Sequence, residues 1–354
     1  MQITNNNPLV SVVITSYNRA NSIEGAIQSA LAQDYPNLEI IISDNCSTDN
    51  TDKVIAKYLS NPKIRYYKNE QNIGMIPNFK MATEQRAKGD YITYVSSDDY
   101  LINTSFISQA VDIINAYKNV LIVFGKNQTF IEQKNKLIDD CTHHLYEKEF
   151  MHGKDVFLRF AKTKALGWGA AFINRSELIA LNIFDTQAIS LDYEANLLLM
   201  LKGNAGFVKQ PAYVFRVHNN QVSQLKTAAD VIKNYSYILR SYSYALSNNI
   251  FAIKKIEKLK NDLLFFEAKY ILLLFLASNK TEYENLMHYF KITHPAVYKK
   301  SKRNIKWNIL SFLYRRPKFT LKFIKFLSKD HNDNLKNILF KANETSINKS
   351  IINF

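Results

Sequence analysis

Short runs of apolar, β-branched residues alternate with helix-forming segments through the first part of this chain. Such runs are typical of parallel strands that are buried on both faces. The predicted strands are 9–14, 38–43, 63–67 and 90–95. The predicted helices extend from a cap at Asn21 or Ser22 to Leu31, from Thr51 to Leu59 and from Asn78 to Arg86. This alternation predicts a doubly wound α/β sheet with right-handed crossovers.

Polar segments follow three of these strands, at Thr15–Arg19, Ser43–Asn45 and Ser96–Asp99. In doubly wound sheets, ligands bind beyond the carboxyl ends of the strands. No GxGxxG follows the first strand and no Gly-Lys-Ser/Thr occurs, which argues against a dinucleotide site or a phosphate-cradling loop. We therefore expect side chains to hold a nucleotide, and Asp98 and Asp99 to bind a divalent cation that neutralises its phosphates. The alternative for these two carboxylates is a solvated turn or a helix cap.

Five motifs, in order along the chain, resemble those of the glycosyltransferase family 2 enzymes. They are PLVSVVITSYNR at 8–19, ISDNCSTD at 42–49, NIG at 72–74, GDYI at 89–92 and SDD at 97–99. The resemblance covers residues 8–225 and implies the GT-A fold, which has a Rossmann-like, doubly wound mixed sheet. It also implies inverting transfer of a hexosyl or N-acetylhexosaminyl group from a nucleotide diphosphate, with a UDP-sugar favoured as donor and Mn²⁺ or Mg²⁺ as cofactor.

Carried over position by position, the resemblance assigns nucleotide-binding roles to Thr15, Tyr17, Arg19, Asp44, Asn72 and Asp98. The Tyr17 ring can stack on a pyrimidine, or it can close the core at the strand end. Asp44 matches the aspartate that accepts a hydrogen bond from the imide of uracil or thymine. The alternative for Asp44 is an Asx-turn.

The resemblance makes Asp99 the metal ligand and places Asp98 near the ribose. Ser97 departs from the pattern, because many family members carry aspartate there. Arg216 and His218 match a late family pattern, in which they bind the diphosphate or complete the metal shell. Their spacing puts both on one side of an extended segment. A structural role is the alternative for His218.

The catalytic base implied by the resemblance is Asp192, which would deprotonate the acceptor hydroxyl. Leu191 replaces the preceding acid of the family pattern, so Glu194 is a second candidate beside the acceptor. Asp192 can also cap a helix that begins at Tyr193. Trp168 lies in a segment that resembles the acceptor loop, where its ring would stack on a sugar or pack in the core.

The net charge of +15 lies entirely in the last part of the chain. Residues 1–225 carry 22 basic and 22 acidic residues, whereas residues 226–354 carry 24 basic and 9 acidic ones. We predict a catalytic domain over 1–225 and a helical, basic region over 226–354 that contacts a membrane surface or another subunit. Within it, 299–329 has eleven basic residues and no acid, with aromatic residues interleaved. This pattern suits an anionic bilayer, and a packed helical subdomain is the alternative.

We expect the protein to reside in the cytoplasm, peripheral to the inner face of the plasma membrane, because no signal peptide or membrane span is recognised and two cysteines build no disulfide framework. The expected acceptor is a glycan or lipid-linked oligosaccharide in bacterial surface polysaccharide synthesis. Leu191 and Ser97 motivate an alternative, a non-catalytic module that binds a glycan or a nucleotide. No nucleic-acid partner is expected, because no recognition motif accompanies the charge. Oligomerisation stays open.

Overall fold

The computed structural model describes residues 7–139, 145–163, 166–186, 188–217 and 227–303. The chain forms two compact units, Met1–Ser223 and Gln224–Phe354. This division lies two residues before the boundary predicted from the charge distribution.

A ten-stranded mixed sheet forms the centre of the first unit. Its strands are β1 Val10–Ser16, β2 Leu38–Asp44, β3 Ile64–Lys68, β4 Tyr91–Ser96, β5 Tyr100–Leu101, β6 Val120–Ile131, β7 Lys136–Asp139, β8 Phe150–Met151, β9 Ala171–Asn174 and β10 Asn204–Val217. The order is β3-β2-β1-β4-β9-β6-β10-β5, with β7 beside β6 and β8 beside β10. The first four strands are parallel, and β9 is antiparallel to β4 and β6. This mixed α/β sheet confirms the predicted fold class.

Within the described ranges, seven α-helices connect these strands. They are α1 Ile23–Leu31, α2 Thr51–Ala56, α3 Met75–Met81, α4 Phe106–Ala116, α5 Gly153–Thr163, α6 Arg175–Ala180 and α7 Leu191–Lys202. The third helix begins three residues before its predicted start, because Pro77 lies in its first turn, where a missing N–H costs no helical bond. A π-helical segment, Ala82–Arg86, continues from α3.

The core of the first unit explains why the predicted strands form. Every residue of β2 is buried, and β1 is buried on both faces apart from the partly exposed Thr15. Val12 and Ile14 join one large apolar cluster with Ile23 and Ile27 of α1. Burial of each such side chain stabilises the fold by about 1.5–3 kcal/mol, so the strand ends are held in fixed positions.

The described part of the second unit is helical. Its helices are α8 Ala228–Asn234, α9 Ser236–Ser247, α10 Ile253–Ser278, α11 Lys280–Thr293 and α12 Pro295–Arg303. Thr227 and Asp230 form a capping box at the start of α8. Among the residues with assigned positions, no helix has the length and apolar character needed to cross a bilayer. The basic stretch 299–329 lies outside the described residues beyond Arg303.

Candidate functional site

The carboxyl ends of β1, β2 and β4 lie side by side. Thr15 is in register with Ser43 on β2 and with Ser96 on β4. Ser16 is in register with Asp44. The three polar segments found in the sequence therefore meet at one edge of the sheet, where a doubly wound sheet binds its ligand.

The loop after β1 is fastened to the loop after β2 by backbone hydrogen bonds. The Asn18 N–H donates to Ser47 Oγ at 2.8 Å, and the Arg19 N–H donates to Thr51 Oγ1 at 2.9 Å. Asn18 has a left-handed φ of 52°, a conformation that asparagine tolerates. Tyr17 is 42% exposed, so its ring faces solvent at this edge instead of filling the core.

Asp44 is fully buried at the end of β2. Its Oδ1 accepts hydrogen bonds from the Ser47 N–H at 3.0 Å and from the Ser47 hydroxyl. Its Oδ2 accepts a bond from the Tyr66 hydroxyl at 3.0 Å. The bond to the Ser47 N–H closes a local turn, as in the Asx-turn alternative for Asp44. Tyr66, on β3, fixes the other carboxylate oxygen.

Asn72 lies in a loop that Asn45 clamps to the end of β2. Asn45 Nδ2 donates to Asn72 Oδ1 at 2.8 Å, and Asn45 Oδ1 accepts from the Ile73 N–H at 3.0 Å. Gly74 has a φ of 89°, a conformation that residues with a Cβ rarely adopt. The predicted motif Asn72-Ile-Gly74 is thus a rigid turn beside Asp44.

Arg86 supports the Asn45 clamp through hydrogen bonds to Ser43 and Asn69. No sequence pattern indicated this residue. One guanidinium nitrogen donates to Ser43 Oγ at 2.6 Å and the other to Asn69 Oδ1. Asn69 Nδ2 in turn donates to Asn45 Oδ1 at 3.0 Å. Burial lowers the pKa of Arg86. Arg86 ends the π-helical segment, a feature often found at functional sites, but one sequence alone gives no signal for it.

Asp98 and Asp99 lie between the end of β4 and the start of β5, and they differ in burial. Arg19 Nε lies 3.5 Å from Asp98 Oδ2, and both side chains are partly exposed. Asp99 is 3% exposed and is held from β10. The Tyr213 hydroxyl donates to Asp99 Oδ2 at 2.8 Å, and the Arg216 N–H donates to Asp99 Oδ1 at 2.8 Å. Sequence reasoning missed Tyr213, because nothing in its spacing connects it with β4.

Burial and the neighbouring charge of Asp98 raise the pKa of Asp99 to about 7, against the hydrogen bonds from Arg216, Tyr213 and Ser96. Burial and the charge of Asp99 raise the pKa of Tyr213 as well. Asp98 and Asp99 are thus two adjacent carboxylates whose mutual repulsion a cation would offset, and their hard oxygen donors suit Mg²⁺ or Mn²⁺. Within the described ranges, no group of three or more His, Cys, Asp or Glu side chains forms a metal cluster.

Of the two predicted site residues near the end of the first unit, the structure describes Arg216 and not His218. The Arg216 guanidinium pairs with Glu132, and the Arg216 backbone N–H donates to Asp99. His218 lies outside the described residues. The structure thus ties Arg216 to the carboxylate of Asp99 through its main chain.

Asp192 and the loop around Trp168 lie together, as the two motifs implied. The helix α7 begins at Leu191, so Asp192 lies in its first turn, where a carboxylate is favoured. Its carboxylate accepts hydrogen bonds from the backbone N–H groups of Trp168, Tyr193 and Asp192 itself. Burial raises the pKa of Asp192 to about 6 against these bonds. A carboxylate that titrates near neutrality suits general base catalysis, and its bonds in the helix turn coexist with that role.

Glu194 and the Trp168 ring are turned toward the protein interior. Glu194 is fully buried and accepts a hydrogen bond from the Thr186 hydroxyl at 2.6 Å. The Trp168 ring is 7% exposed and stacks on Tyr94, with centroids 4.3 Å apart. The hydrogen bond from Trp168 to Asp192 comes from the Trp168 main chain.

The comparison of this sequence with family models matches the family described as Glycosyl transferase family 2 over residues 11–178. A relative from Escherichia coli, the UDP-Glc:alpha-D-GlcNAc-diphosphoundecaprenol beta-1,3-glucosyltransferase WfaP, is 35% identical over 125 residues, which are 35% of this chain and 47% of the relative. The putative teichuronic acid biosynthesis glycosyltransferase TuaG of Bacillus subtilis is 40% identical over 98 residues, which are 27% of this chain and 38% of the relative. The chain therefore spans less than half the length of each of these two relatives.

Solved structures share the fold. TarS 1-349 of S. aureus in complex with UDP-GlcNAc has a TM-score of 0.67 and 15% identity, and the match covers 87% of this chain and 92% of that one. The mannosyltransferase PcManGT of Pyrobaculum calidifontis in complex with GDP-Man and Mn²⁺ has a TM-score of 0.50 and 14% identity, with 98% and 89% covered. At these identities, the likeness establishes the fold alone.

Proposed function

The chain belongs to glycosyl transferase family 2, and on that premise we propose that it transfers a sugar from a nucleotide diphosphate to a hydroxyl group of a glycan or lipid-linked oligosaccharide. The observation that carries this proposal is the meeting of polar strand ends at one edge of the sheet, with Asp44, Asp98 and Asp99 among them. Each carboxylate is fixed by a residue distant in sequence, as a preorganised site requires.

The nucleotide is proposed to lie across the ends of β1, β2 and β4. Tyr17 offers an exposed aromatic face for the base, and Asp44 offers carboxylate oxygens at the end of β2. Asp98, paired with Arg19, borders the same edge. The imide N–H of a uracil ring can donate to a carboxylate, which favours a UDP-sugar. WfaP uses UDP-Glc by its name, and the TarS structure contains UDP-GlcNAc.

Asp99, with Asp98 beside it, would hold a divalent cation. The negative charge concentrated at this pair and its oxygen donors fit such an ion, and the PcManGT neighbour contains Mn²⁺. Bound there, the ion would neutralise charge on the departing diphosphate. Tyr213 and the Arg216 main chain keep the Asp99 carboxylate in one orientation throughout.

Asp192 is proposed to take the proton from the acceptor hydroxyl as that oxygen attacks the anomeric carbon. A base on the face opposite the leaving group produces inversion. The backbone N–H groups of Trp168 and Tyr193 orient the carboxylate, and its pKa of about 6 leaves it ionised at neutral pH.

The proposed pathway is bacterial surface polysaccharide synthesis, with the protein attached to the inner face of the plasma membrane through residues 299–329. WfaP, by its name, acts on a diphosphoundecaprenol-linked sugar, and TuaG is assigned by name to teichuronic acid synthesis. The basic, acid-free composition of 299–329 supports attachment to an anionic surface.

The test is release of nucleoside diphosphate from a panel of UDP-, GDP- and TDP-sugars with Mn²⁺ or Mg²⁺, in the presence of candidate acceptors. We expect turnover with one UDP-sugar and loss of turnover on addition of EDTA. Tight donor binding without release from any donor, with each candidate acceptor, would contradict transfer. That result would favour the non-catalytic binding module, for which Leu191 and Ser97 are the departures from the family pattern.

A further inference from the structure

A groove of about 520 Å³ lies between α10 and α12 in the second unit. It is lined by Phe265, Ala296, Lys299, Lys300 and Arg303. The four residues from α12 follow the spacing i, i+3, i+4, i+7, so they lie on one face of that helix. The groove is thus a concave surface with an aromatic side and a cationic side.

The groove has an excess of positive charge. Lys300 Nζ lies 2.8 Å from Asp262 Oδ1 and 4.6 Å from the centre of the Phe265 ring. In the part of the chain with described positions, neither Lys299 nor Arg303 has an acidic partner. Three cations and one carboxylate leave two positive charges over a partly exposed ring. Two adjacent cations without counter-charges repel each other, and a bound anion would relieve that repulsion.

We infer that this groove binds the phosphate of an anionic phospholipid headgroup. An arginine guanidinium can donate two parallel hydrogen bonds to a phosphate, and lysine ammonium groups add charge. The volume falls within the range of small-ligand sites, roughly 300–1,000 Å³. Residues 227–303 carry 13 basic and 6 acidic residues, so a surface dense in phosphates attracts the whole unit. This inference rests on the membrane attachment proposed above and not on the transfer reaction.

The experiment uses the full chain and sedimentation with vesicles of phosphatidylcholine alone or mixed with phosphatidylglycerol. Lys299→Gln/Arg303→Gln removes the two groove cations for which the described residues provide no acidic partner. Lys291→Gln/Lys302→Gln is the matched control, because it removes two charges from residues that do not line the groove. We expect the groove pair to weaken binding to phosphatidylglycerol vesicles at least about tenfold more than the control pair, since a docked phosphate contacts individual cations.

Three results would overturn the inference. Equal losses in the two double variants would mean diffuse attraction without a groove site. Binding of inorganic phosphate that the groove pair abolishes, with vesicle binding of the groove pair equal to that of the wild type, would make free phosphate the ligand. No binding of the wild-type protein to phosphatidylglycerol vesicles would overturn both the groove and the membrane attachment.

Two further measurements separate an effect of the groove from effects of charge, folding or transfer activity. Lys299→Arg/Arg303→Lys retains both charges and should retain vesicle binding, and all variants should unfold at the wild-type temperature. Nucleoside diphosphate release with a water-soluble acceptor should be unchanged in the groove variants. A result that contradicts phospholipid binding by the groove can therefore be distinguished from one that contradicts the transfer reaction.

Discussion

The proposed donor side and the proposed acceptor side of the site hold their carboxylates in different ways. On the donor side, Asp44 and Asp99 each accept a hydrogen bond from a tyrosine on another strand, Tyr66 and Tyr213 respectively. On the acceptor side, Asp192 accepts its bonds from backbone N–H groups in the loop at Trp168 and in the first turn of α7. Donor geometry therefore depends on tyrosine side chains from neighbouring strands as well as on main-chain N–H groups, whereas the base is oriented by main-chain N–H groups. Substitutions should separate structure from chemistry more cleanly on the acceptor side.

The largest expected effect on the donor side comes from Asp99→Ala. Loss of the carboxylate removes both the proposed cation ligand and the acceptor for Tyr213 and Arg216. We expect transfer to fall by about 1,000-fold or more and the free energy of unfolding to drop by about 1–3 kcal/mol. Nucleoside diphosphate release and chemical unfolding measure the two effects. Near-normal turnover in a folded variant would remove Asp99 from the metal site.

On the acceptor side, Asp192→Asn keeps the shape of the side chain and removes the base. We expect turnover to fall by about 100- to 10,000-fold, with the Kd of the sugar nucleotide unchanged within about twofold, since Asp192 lies on the proposed acceptor side of the site. Isothermal titration of the donor, beside the turnover assay, is the measurement. A parallel loss of donor binding would place Asp192 on the donor side and break the comparison.

The raised pKa of Asp192 predicts a pH dependence of rate. Below a pH of about 6 the base is protonated, so kcat/KM should fall about tenfold per pH unit, and above it the rate should level. A profile of kcat/KM from pH 4.5 to 8 checks the position of this acid limb. If the residual activity of Asp192→Asn shows the same fall of kcat/KM at acid pH, the fall comes from the titration of another group.

The raised pKa of Asp192 also predicts that the free energy of unfolding depends on pH. The folded pKa of about 6 exceeds the ordinary 3.8, so the folded state binds this proton more tightly than the unfolded state. The stabilisation that this proton gives the folded state is complete below pH 3.8 and is lost as the pH rises through 6. Because the group is partly exposed, Asp192→Asn should gain only about 1–2 kcal/mol relative to wild type between pH 4 and pH 7. Urea unfolding at both pH values measures the gain, and an unchanged difference would mean that Asp192 is solvated.

On the donor side, Arg86→Met should act on affinity more than on rate. It removes two donors from the network that holds Asn45 and the Asn72 turn. We expect the donor KM to rise about tenfold, with kcat within about threefold. Arg65→Met is the control, because it removes the same type of side chain from β3, where Arg65 pairs with Glu39. Equal effects of the two variants on the donor KM would mean that Arg86 acts only through general stability.

The two sides also differ in how far the sequence predicts them. The four parallel strands and their polar ends follow from local patterns of apolar residues, so Asp44, Asp98 and Asp99 could be placed at one edge in advance. The side chains that fix Asp44 and Asp99 could not be predicted, since Tyr66 and Tyr213 come from separate parts of the chain. The same holds for Arg86, which supports the neighbouring Asn45 network. The insertion of the antiparallel β9 between β4 and β6 is likewise a long-range pairing that no short motif specifies.

The smallest effect is expected for Trp168→Phe, which tests what an aromatic residue contributes on the acceptor side. The ring is buried, stacks on Tyr94 and meets Phe79 edge-on at 5.8 Å. The described residues provide no hydrogen-bond partner for its Nε1, so phenylalanine loses apolar contact without loss of a hydrogen bond. We expect about 1–2 kcal/mol less stability and less than a threefold change in acceptor KM, roughly the limit of a structural effect. A larger rise in acceptor KM at unchanged stability would show that the ring reaches the acceptor sugar. Acceptor binding would then depend on a side chain, and the main chain at Trp168 would serve only to orient Asp192.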